Sequence, residues 1–548
     1  MATESVVATS ARPADVGLKR EMGFFGLAWA SEGSIIGSGW LFASLGASQA
    51  AGGAAIFAWI FAAIALTILA LIHAELGAMY PVAGGTARFT HYAFGTAAGA
   101  SFGWFSWLQA AIVAPIEVLA VLGYASYWWH GLIHSSGPNA GLITPLGYVI
   151  AVVLMAIFVA INFLGVRWLA HTNSAATWWK IAIPVLAIIV LAFKWHSANF
   201  TAGGGFAPAG VKGVLEAVGS SGVVFALLGF EQADQLAAEA KNPQRDLPRA
   251  IITAMIIGSI IYLMLQVVFI AAMPASQLSH GGFAGISNIN IINGPFAGLA
   301  TVVGLGWLAL ILRIDAVISP GGTGLIYTTS TSRVSYGLAR NRYYPPIFSK
   351  TDSRGVPWFG LIFAFAVGLL VFLPFPSWNK LAGFITSASV LMYAGAPLAM
   401  AAFRKQVPEA KRPYRMPGAV VLAPLGFIVA SLIIYWTGFE IVWRLGVAVV
   451  LGYVLIGIWM AMDKQRPPMD WKSAQWLPVY LIGMGIITWQ GGFGSGTGNI
   501  GLWWDIAIVA AFSLVIFYWA QATRLSREEM LKIVSLQSGP EAEAAAGS

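Results

Sequence analysis

Gly33-Ser34-Ile35-Ile36-Gly37-Ser38-Gly39-Trp40 stands in the middle of a segment, residues 23–45, that is otherwise apolar enough to cross a lipid bilayer. A helix in lipid has no water to satisfy a broken backbone, so irregular backbone survives there only where it lines a cavity or is enclosed by protein. Glycine can leave helical geometry without steric cost. The run therefore reads as a point where the span comes apart. Its second half then presents backbone N–H groups at a helix N-terminus, a place suited to a carboxylate. The competing reading is close helix packing through small residues.

The surrounding sequence supplies the lipid. Of 548 residues, 58% are hydrophobic and 9% are charged, against roughly 25% charged in an ordinary soluble protein. Mean hydropathy is +0.76. A water-soluble globule is excluded, and the chain reads as a polytopic membrane protein. Apolar segments lie near 23–45, 53–79, 98–129, 145–169, 174–194, 212–237, 249–273, 296–339, 357–374, 380–403, 418–437, 441–462, 474–490 and 501–522, about 14 spans by length. The third and eighth exceed the length needed to cross, so they must tilt or continue past the bilayer. The segments are apolar on all sides rather than alternating, which predicts an all-α fold and not a barrel.

The net charge of +8 reports topology. About 24 of the 30 Lys and Arg fall on one side of the spans, which the positive-inside rule makes cytoplasmic. Both termini are expected there, in a cytoplasmic (plasma) membrane, and no nucleic-acid partner is expected. Residues 1–17 and 538–548 are polar or small-residue tails, and the first apolar segment runs on past any cleavage site, so it reads as a retained span. Cysteine is absent, which removes disulfide, thiolate-metal and cysteine-nucleophile chemistry. No cofactor or metal site is expected. His130 and His134 are four apart without an adjacent Glu, and Gly496-Thr497-Gly498-Asn499-Ile500-Gly501 spells a dinucleotide fingerprint outside any strand-to-helix turn.

The sixth segment carries a second candidate break, Gly219-Ser220-Ser221-Gly222, followed by Leu227-Leu228-Gly229-Phe230-Glu231. Two interrupted helices five spans apart fit an inverted repeat of spans 1–5 and 6–10, with a ligand held between the breaks. A zwitterion suits both: carboxylate on the first, ammonium on carbonyls of the sixth.

Three sets of residues carry a resemblance: Ile35-Ile36-Gly37-Ser38-Gly39; Ala74-Glu75-Leu76 with Tyr80-Pro81 and Gly84-Gly85; and Glu231 with Ala238-Glu239-Ala240-Lys241-Asn242-Pro243-Gln244-Arg245-Asp246-Leu247-Pro248-Arg249-Ala250. In this order they resemble the amino acid–polyamine–organocation (APC) transporters, over roughly residues 18–460. The resemblance implies the LeuT-like five-plus-five inverted-repeat fold with helices 1 and 6 discontinuous. Gly304-Leu305-Gly306-Trp307-Leu308-Ala309, Asp315-Ala316, Ser319-Pro320-Gly321-Gly322, Ser332-Arg333 and Leu373-Pro374-Phe375-Pro376-Ser377-Trp378-Asn379 are similar to the bacterial aspartate–proton symporter group. On that basis residues 18–410 form a transport core and 411–524 accessory helices, with a tail from 525 to 548.

Carried onto this sequence, the resemblance gives the substrate carboxylate to Ser38 and Gly39, flanked by Ile36 and Gly37. The ammonium goes to carbonyls of Phe225, Ala226 and Leu228 beside Gly229, with Phe225 as an aromatic gate. Lys180, in the fifth span, falls where relatives keep a coupling sodium ion and faces the unwound part of span 1. Either it loads and releases a proton, or it is a constant charge that bridges spans 1 and 5. Glu231 is a structural tie or a proton site. Glu32 and Glu117 are further intramembrane acids, candidates for a second protonatable group or a counter-ion. Arg313 and Asp315 are about 200° apart on a helix, so they are no intrahelical pair. Arg313 could hold an acidic substrate side chain or pair with Glu32 or Glu117.

The function expected is proton-coupled symport of an amino acid, with aspartate and glutamate as preferred substrates. The alternatives are an obligate exchanger, or a permease for neutral or cationic amino acids. No facing cluster of catalytic groups supports an intramembrane enzyme. Protons, a small amino acid and the bilayer are the expected partners.

Overall fold

The computed structural model describes residues 22–81, 85–164, 166–464 and 466–537. The tails 1–17 and 538–548, and Gly84 of the motif after span 2, lie outside the described residues. The chain runs α1 (Phe24–Ile35), α2 (Gly39–Ala51), α3 (Ala55–Met79), α4 (Gly85–Ala125), α5 (Pro145–Phe163), α6 (Val166–Ala192), α7 (Gly210–Ser220), α8 (Val223–Ala226), α9 (Gln232–Gln235) and α10 (Pro243–Ala272). Then follow α11 (Ala275–Leu278), α12 (Ile289–Asn293), α13 (Pro295–Val302), α14 (Gly306–Arg340), α15 (Trp358–Val371), α16 (Trp378–Tyr393) and α17 (Gly395–Gln406). The last are α18 (Ala419–Trp436), α19 (Phe439–Met462), α20 (Trp471–Ala474), α21 (Trp476–Gln490), α22 (Leu502–Thr523) and α23 (Arg527–Gln537). Regular structure among the described residues is entirely helical, as the all-round apolar segments require.

Nine helical stretches among the described residues are long and apolar enough to cross a membrane, and Ala176–Ala192 and Trp358–Val371 are shorter apolar helices. The other segments read as spans are interrupted or short, including those at α1, α7 to α9 and α21. One boundary differs from the sequence reading. Residues 296–339 are not one span: α13 ends at Val302, the chain turns through Gly304 at φ +80, and α14 begins at Gly306. A short apolar helix ahead of a glycine turn has the composition of a longer span, so hydropathy alone merges them.

The centre of the molecule is α4, whose apolar window is buried throughout. It packs against α14, α16, α17, α15 and α5. A helix hydrophobic all round belongs inside protein or lipid, and α4 is enclosed by protein. By contrast, α19 exposes Val447, Val450, Leu451, Val454, Leu455 and Ile458, an apolar face fit for acyl chains. The helix α4 is not straight. Gly95 (φ 80, ψ −166) breaks it, and the Thr96 amide beyond the break donates to Asp470 Oδ2 at 2.9 Å. At the chain's end, α23 packs against α4, and the Leu525 amide donates to the Ala93 carbonyl at 3.1 Å.

At one end of the bundle, Glu75 on α3 gathers a buried ion cluster. Arg404 Nη2 on α17 approaches Glu75 Oε2 at 2.5 Å, Arg412 Nε lies 3.4 Å from Oε1, and the Met416 amide donates to Oε2 at 2.7 Å. Glu75 is 1% exposed. Removing one partner of a buried pair strands the other charge, at roughly 3–5 kcal/mol. The pair Arg333–Glu239 (2.8 Å) is more open, with 31% and 17% of its side chains exposed, and pairs of that kind contribute about 0–1 kcal/mol. Glu75→Ala is therefore expected to lower the thermal unfolding midpoint in detergent far more than Glu239→Ala. Equal shifts in the two variants would show that the cluster does not hold this end together.

Candidate functional site

The first span comes apart where the glycines predict. Helix α1 stops at Ile35, Ile36 sits outside helical geometry (φ −83, ψ 83), and α2 restarts at Gly39. The carbonyls freed at the end of α1 are taken up from three sides. Lys180 Nζ on α6 donates to the Gly33 carbonyl at 2.6 Å and to Thr323 Oγ1 at 2.8 Å. Thr323 Oγ1 on α14 lies 3.0 Å from the Gly33 carbonyl and 3.3 Å from that of Ile36. Tyr262 Oη on α10 donates to the Ile35 carbonyl at 2.7 Å. A cation at a helix C-terminus matches the helix dipole, so Lys180 is held by the break it faces.

On the other side of the break, the Ser38 amide at the start of α2 donates to Glu117 Oε2 of α4 at 2.9 Å. Ser38 Oγ accepts from Trp378 Nε1 at 2.8 Å. The first-turn amides of a helix have no intrahelical partner, so this end of α2 is an anion seat, and a side-chain carboxylate of the chain itself is in it.

The second break lies between α7 and α9. Gly222 (φ +87) and Gly229 (φ +122) adopt backbone that L residues avoid, and α8 between them is a single turn. The two breaks touch through glycine. A Cβ on Gly39 would lie 2.5 Å from Ala226 Cα, and one on Gly229 would lie 2.8 Å from the Ile35 nitrogen. Ser31 Oγ also donates to the Phe230 carbonyl at 3.0 Å. The Phe225 carbonyl accepts the Leu228 amide at 3.2 Å in the turn that ends α8.

Between the breaks lies a narrow cavity with room for about one water molecule, lined by Gly37, Gly39, Phe225, Leu228, Gln109, Glu117, Thr323 and Tyr327 among others. Phe225 meets Trp378 edge-on at 5.6 Å between ring centroids, and Trp378 stacks on Phe42 at 4.8 Å. The aromatic gate expected at Phe225 is thus one part of a cluster in which Trp378 reaches both the gate and the Ser38 hydroxyl.

The structure brings Ile36, Gly37, Ser38, Gly39, Phe225, Ala226, Leu228, Gly229, Glu117 and Lys180 to one place. Glu32 and Asp315 lie within electrostatic reach of Lys180, as does Glu117. Asp315 Oδ1 accepts from Trp179 Nε1 at 2.9 Å and Ser319 Oγ at 2.7 Å. Arg313 is not brought there, and it pairs with neither Glu32 nor Glu117. Its guanidinium lies 3.5 Å from the Tyr127 ring centroid and donates to Thr301 Oγ1 at 3.1 Å, beside a separate cavity lined by Tyr124, Asn290 and Asn293. The helical angle that separates it from Asp315 turns it toward the far end of α4 and toward α13.

Glu231 is saturated. Oε2 accepts the Gly229 amide at 3.0 Å and the Tyr393 hydroxyl, and Oε1 accepts the Tyr327 hydroxyl at 3.0 Å. One carboxylate therefore joins the second break to α14 and α16. Trp378, Thr323 and Tyr262 escaped the sequence reading as site residues. The signal for Trp378 was present, since it closes the Leu373–Asn379 motif. Gly322, in the Ser319-Pro320-Gly321-Gly322 motif, leaves room for the lysine, since a Cβ there would lie 3.1 Å from Lys180 Nζ.

The chain also has relatives among known proteins. A family model described as amino acid permease matches residues 22–462. A glutamate/serine transporter of Bacillus subtilis is 36% identical over 540 residues, which cover 97% of this chain and 99% of the relative. The aspartate-proton symporter of the same organism is 36% identical over 517 residues, covering 93% and 97%. Among solved structures, the nucleobase-cation-symport transporter Mhp1 in a closed conformation covers 85% of this chain and 98% of its own, at 15% identity and a TM-score of 0.47.

The saturation of Glu231 makes a specific demand. In Glu231→Gln the amide cannot accept from three donors as the carboxylate does, and each buried donor left unsatisfied costs about 1–3 kcal/mol. The variant is expected to lose thermal stability and to resist unfolding less than Glu32→Gln, whose carboxylate oxygens have no hydrogen-bond partner among the described residues. If Glu231→Gln matches wild type in thermal midpoint, Glu231 is not the tie.

Proposed function

The chain belongs to the amino acid permease family, and we propose that it is a proton-coupled symporter that takes up acidic amino acids, aspartate and glutamate, by alternating access. One observation carries the reading: a helix N-terminus and a second broken helix meet at one cavity, with a buried lysine bound to the carbonyls of the first break. In this reading the amides of Ser38 and Gly39, beside Ile36 and Gly37, take the substrate carboxylate. The carbonyls of Phe225, Ala226 and Leu228, at Gly229, take its ammonium, and Phe225 closes over it. The aspartate and glutamate preference draws on the two relatives at 36% identity. In this reading both termini lie in the cytoplasm, the chain sits in the plasma membrane and residues 18–410 form the moving core, which the one-sided bias of Lys and Arg supports for the orientation.

Lys180 is the coupling group. Protonated, it makes two short hydrogen bonds, to Gly33 and Thr323, that tie α6 to the end of α1 and to α14. Hydrogen bonds to a charged group contribute roughly 1.5–3 kcal/mol each. Losing the proton therefore shifts the balance between tied and released arrangements by about two orders of magnitude or more. Motion of α6 away from the break then follows deprotonation, and a proton crosses with each cycle.

The test is uptake of labelled aspartate, glutamate, arginine and leucine into proteoliposomes, with and without an imposed pH gradient. Wild type is expected to accumulate the acidic pair when the outside is acidic, without preloaded substrate. Lys180→Ala is expected to abolish that accumulation while counterflow exchange continues. Gradient-driven accumulation by Lys180→Ala would remove the coupling role, and preference for arginine would overturn the substrate assignment.

A further inference from the structure

We propose that Glu117 is a resident substitute for the substrate carboxylate: it occupies the amide seat at the start of α2, and an amino acid is seated only when Glu117 leaves that seat carrying a proton. The inference rests on the transport reading above and adds to it a second proton, bound at a different residue from Lys180.

The geometry is that of a ligand contact made within the chain. Glu117 comes from α4, 79 residues away in sequence, and its side chain is fully buried. Oε2 receives the Ser38 amide at 2.9 Å, while Oε1 is buried without a hydrogen-bond partner among the described residues. The carboxyl reaches the seat because position 37 is glycine. A Cβ there would lie 2.7 Å from Glu117 Oε1 and 2.9 Å from Thr323 Oγ1. The glycine of the break thus makes room for an acid from another helix as well as for a bend.

One helix end does not hold two anions. A helix N-terminus carries about half a positive charge. Two carboxylates 4 Å apart repel by about 4 kcal/mol at an effective dielectric of 20, near three orders of magnitude in binding. A proton on Glu117 removes the repulsion and converts its carboxyl from acceptor to donor. The exchange balances: an aqueous proton forms the new O–H bond on Glu117, the Ser38 amide transfers its hydrogen bond to the incoming carboxylate, and the reverse occurs on release.

The charged and titratable groups within electrostatic reach of Glu117 are Lys180 on α6, Tyr262 on α10 and Tyr327 on α14, and Glu32 on α1 and Asp315 on α14 reach Lys180 in turn. Glu231 meets Tyr327 and is already saturated. Lys180 is the cation among them, and among the described residues it is bound to the Gly33 carbonyl and Thr323 rather than within 4 Å of a carboxylate. Glu117 and Lys180 hold opposite sides of one break while remaining within electrostatic reach of each other: Lys180 holds the carbonyls that end α1, and Glu117 holds the amide that begins α2.

The test is calorimetric binding of L-aspartate and L-serine to purified wild type and Glu117→Gln, at several pH values and in buffers of different ionisation enthalpy. Serine has no side chain that titrates in this range. Wild type is expected to take up about one proton more per bound amino acid than Glu117→Gln, and its affinity to rise up to ~10-fold per pH unit of acidification where the variant's does not. Equal proton uptake by the two proteins overturns the proposal and leaves the transport reading standing. Failure of wild type to bind either amino acid or glutamate overturns both. A wild-type structure with substrate bound gives a check that needs no variant: the Ser38 amide must point to the amino acid, and Glu117 still on that amide beside bound substrate overturns the proposal.

Discussion

In lipid, a backbone amide or carbonyl without a partner costs several kcal/mol, and everything at the centre of this protein answers that constraint. The first span opens between Ile35 and Gly39. From that moment four distant side chains are required: Lys180, Thr323 and Tyr262 for the freed carbonyls, Glu117 for the freed amide. They come from α6, α14, α10 and α4. The break is thus the hub around which the helices are arranged, and the polar side chains buried there are the ones its backbone demands.

The second break obeys the same rule by other means. Gly222 and Gly229 take positive φ, and Glu231 collects an amide and two tyrosine hydroxyls in one carboxylate. Where the first break is served by a lysine, a threonine, a tyrosine and an acid from four different helices, the second is locked by one saturated acid. The two touch through glycines with no room for a Cβ, so a shift of one backbone is felt by the other. Interiors packed in this way respond by switching between discrete arrangements rather than by bending gradually.

Much of this was legible in the sequence. The glycine clusters marked both breaks, and hydropathy marked the helices that carry them. That Lys180 faces the unwound backbone was implied by the resemblance to the APC transporters, and its ammonium does meet the Gly33 carbonyl there. Partner identity was not legible. Thr323 and Tyr262 look like ordinary helix residues, and only the fold brings them to carbonyls some 290 and 230 positions away, about the separations of their bonds. Arg313 shows the same limit from the other side. Helix periodicity gave its direction relative to Asp315, but not that Tyr127 and Thr301 would be waiting there. The merged reading of 296–339 failed because a short apolar helix beside Gly304 has the hydropathy of a span and differs from one only in its turn.

The bend in α4 at Gly95 carries a consequence for the chain beyond the permease core. The helix that delivers Glu117 restarts at Thr96, and that restart is capped by Asp470, from the connection between α19 and α21. The C-terminal segment is thereby wired into a helix whose apolar window is enclosed by protein throughout. A shortened chain ending after α19 would lack the acid that closes this joint, and would leave α4 free to pivot at its own glycine. The segment that looks most dispensable in sequence is the bracket that keeps the central strut in register.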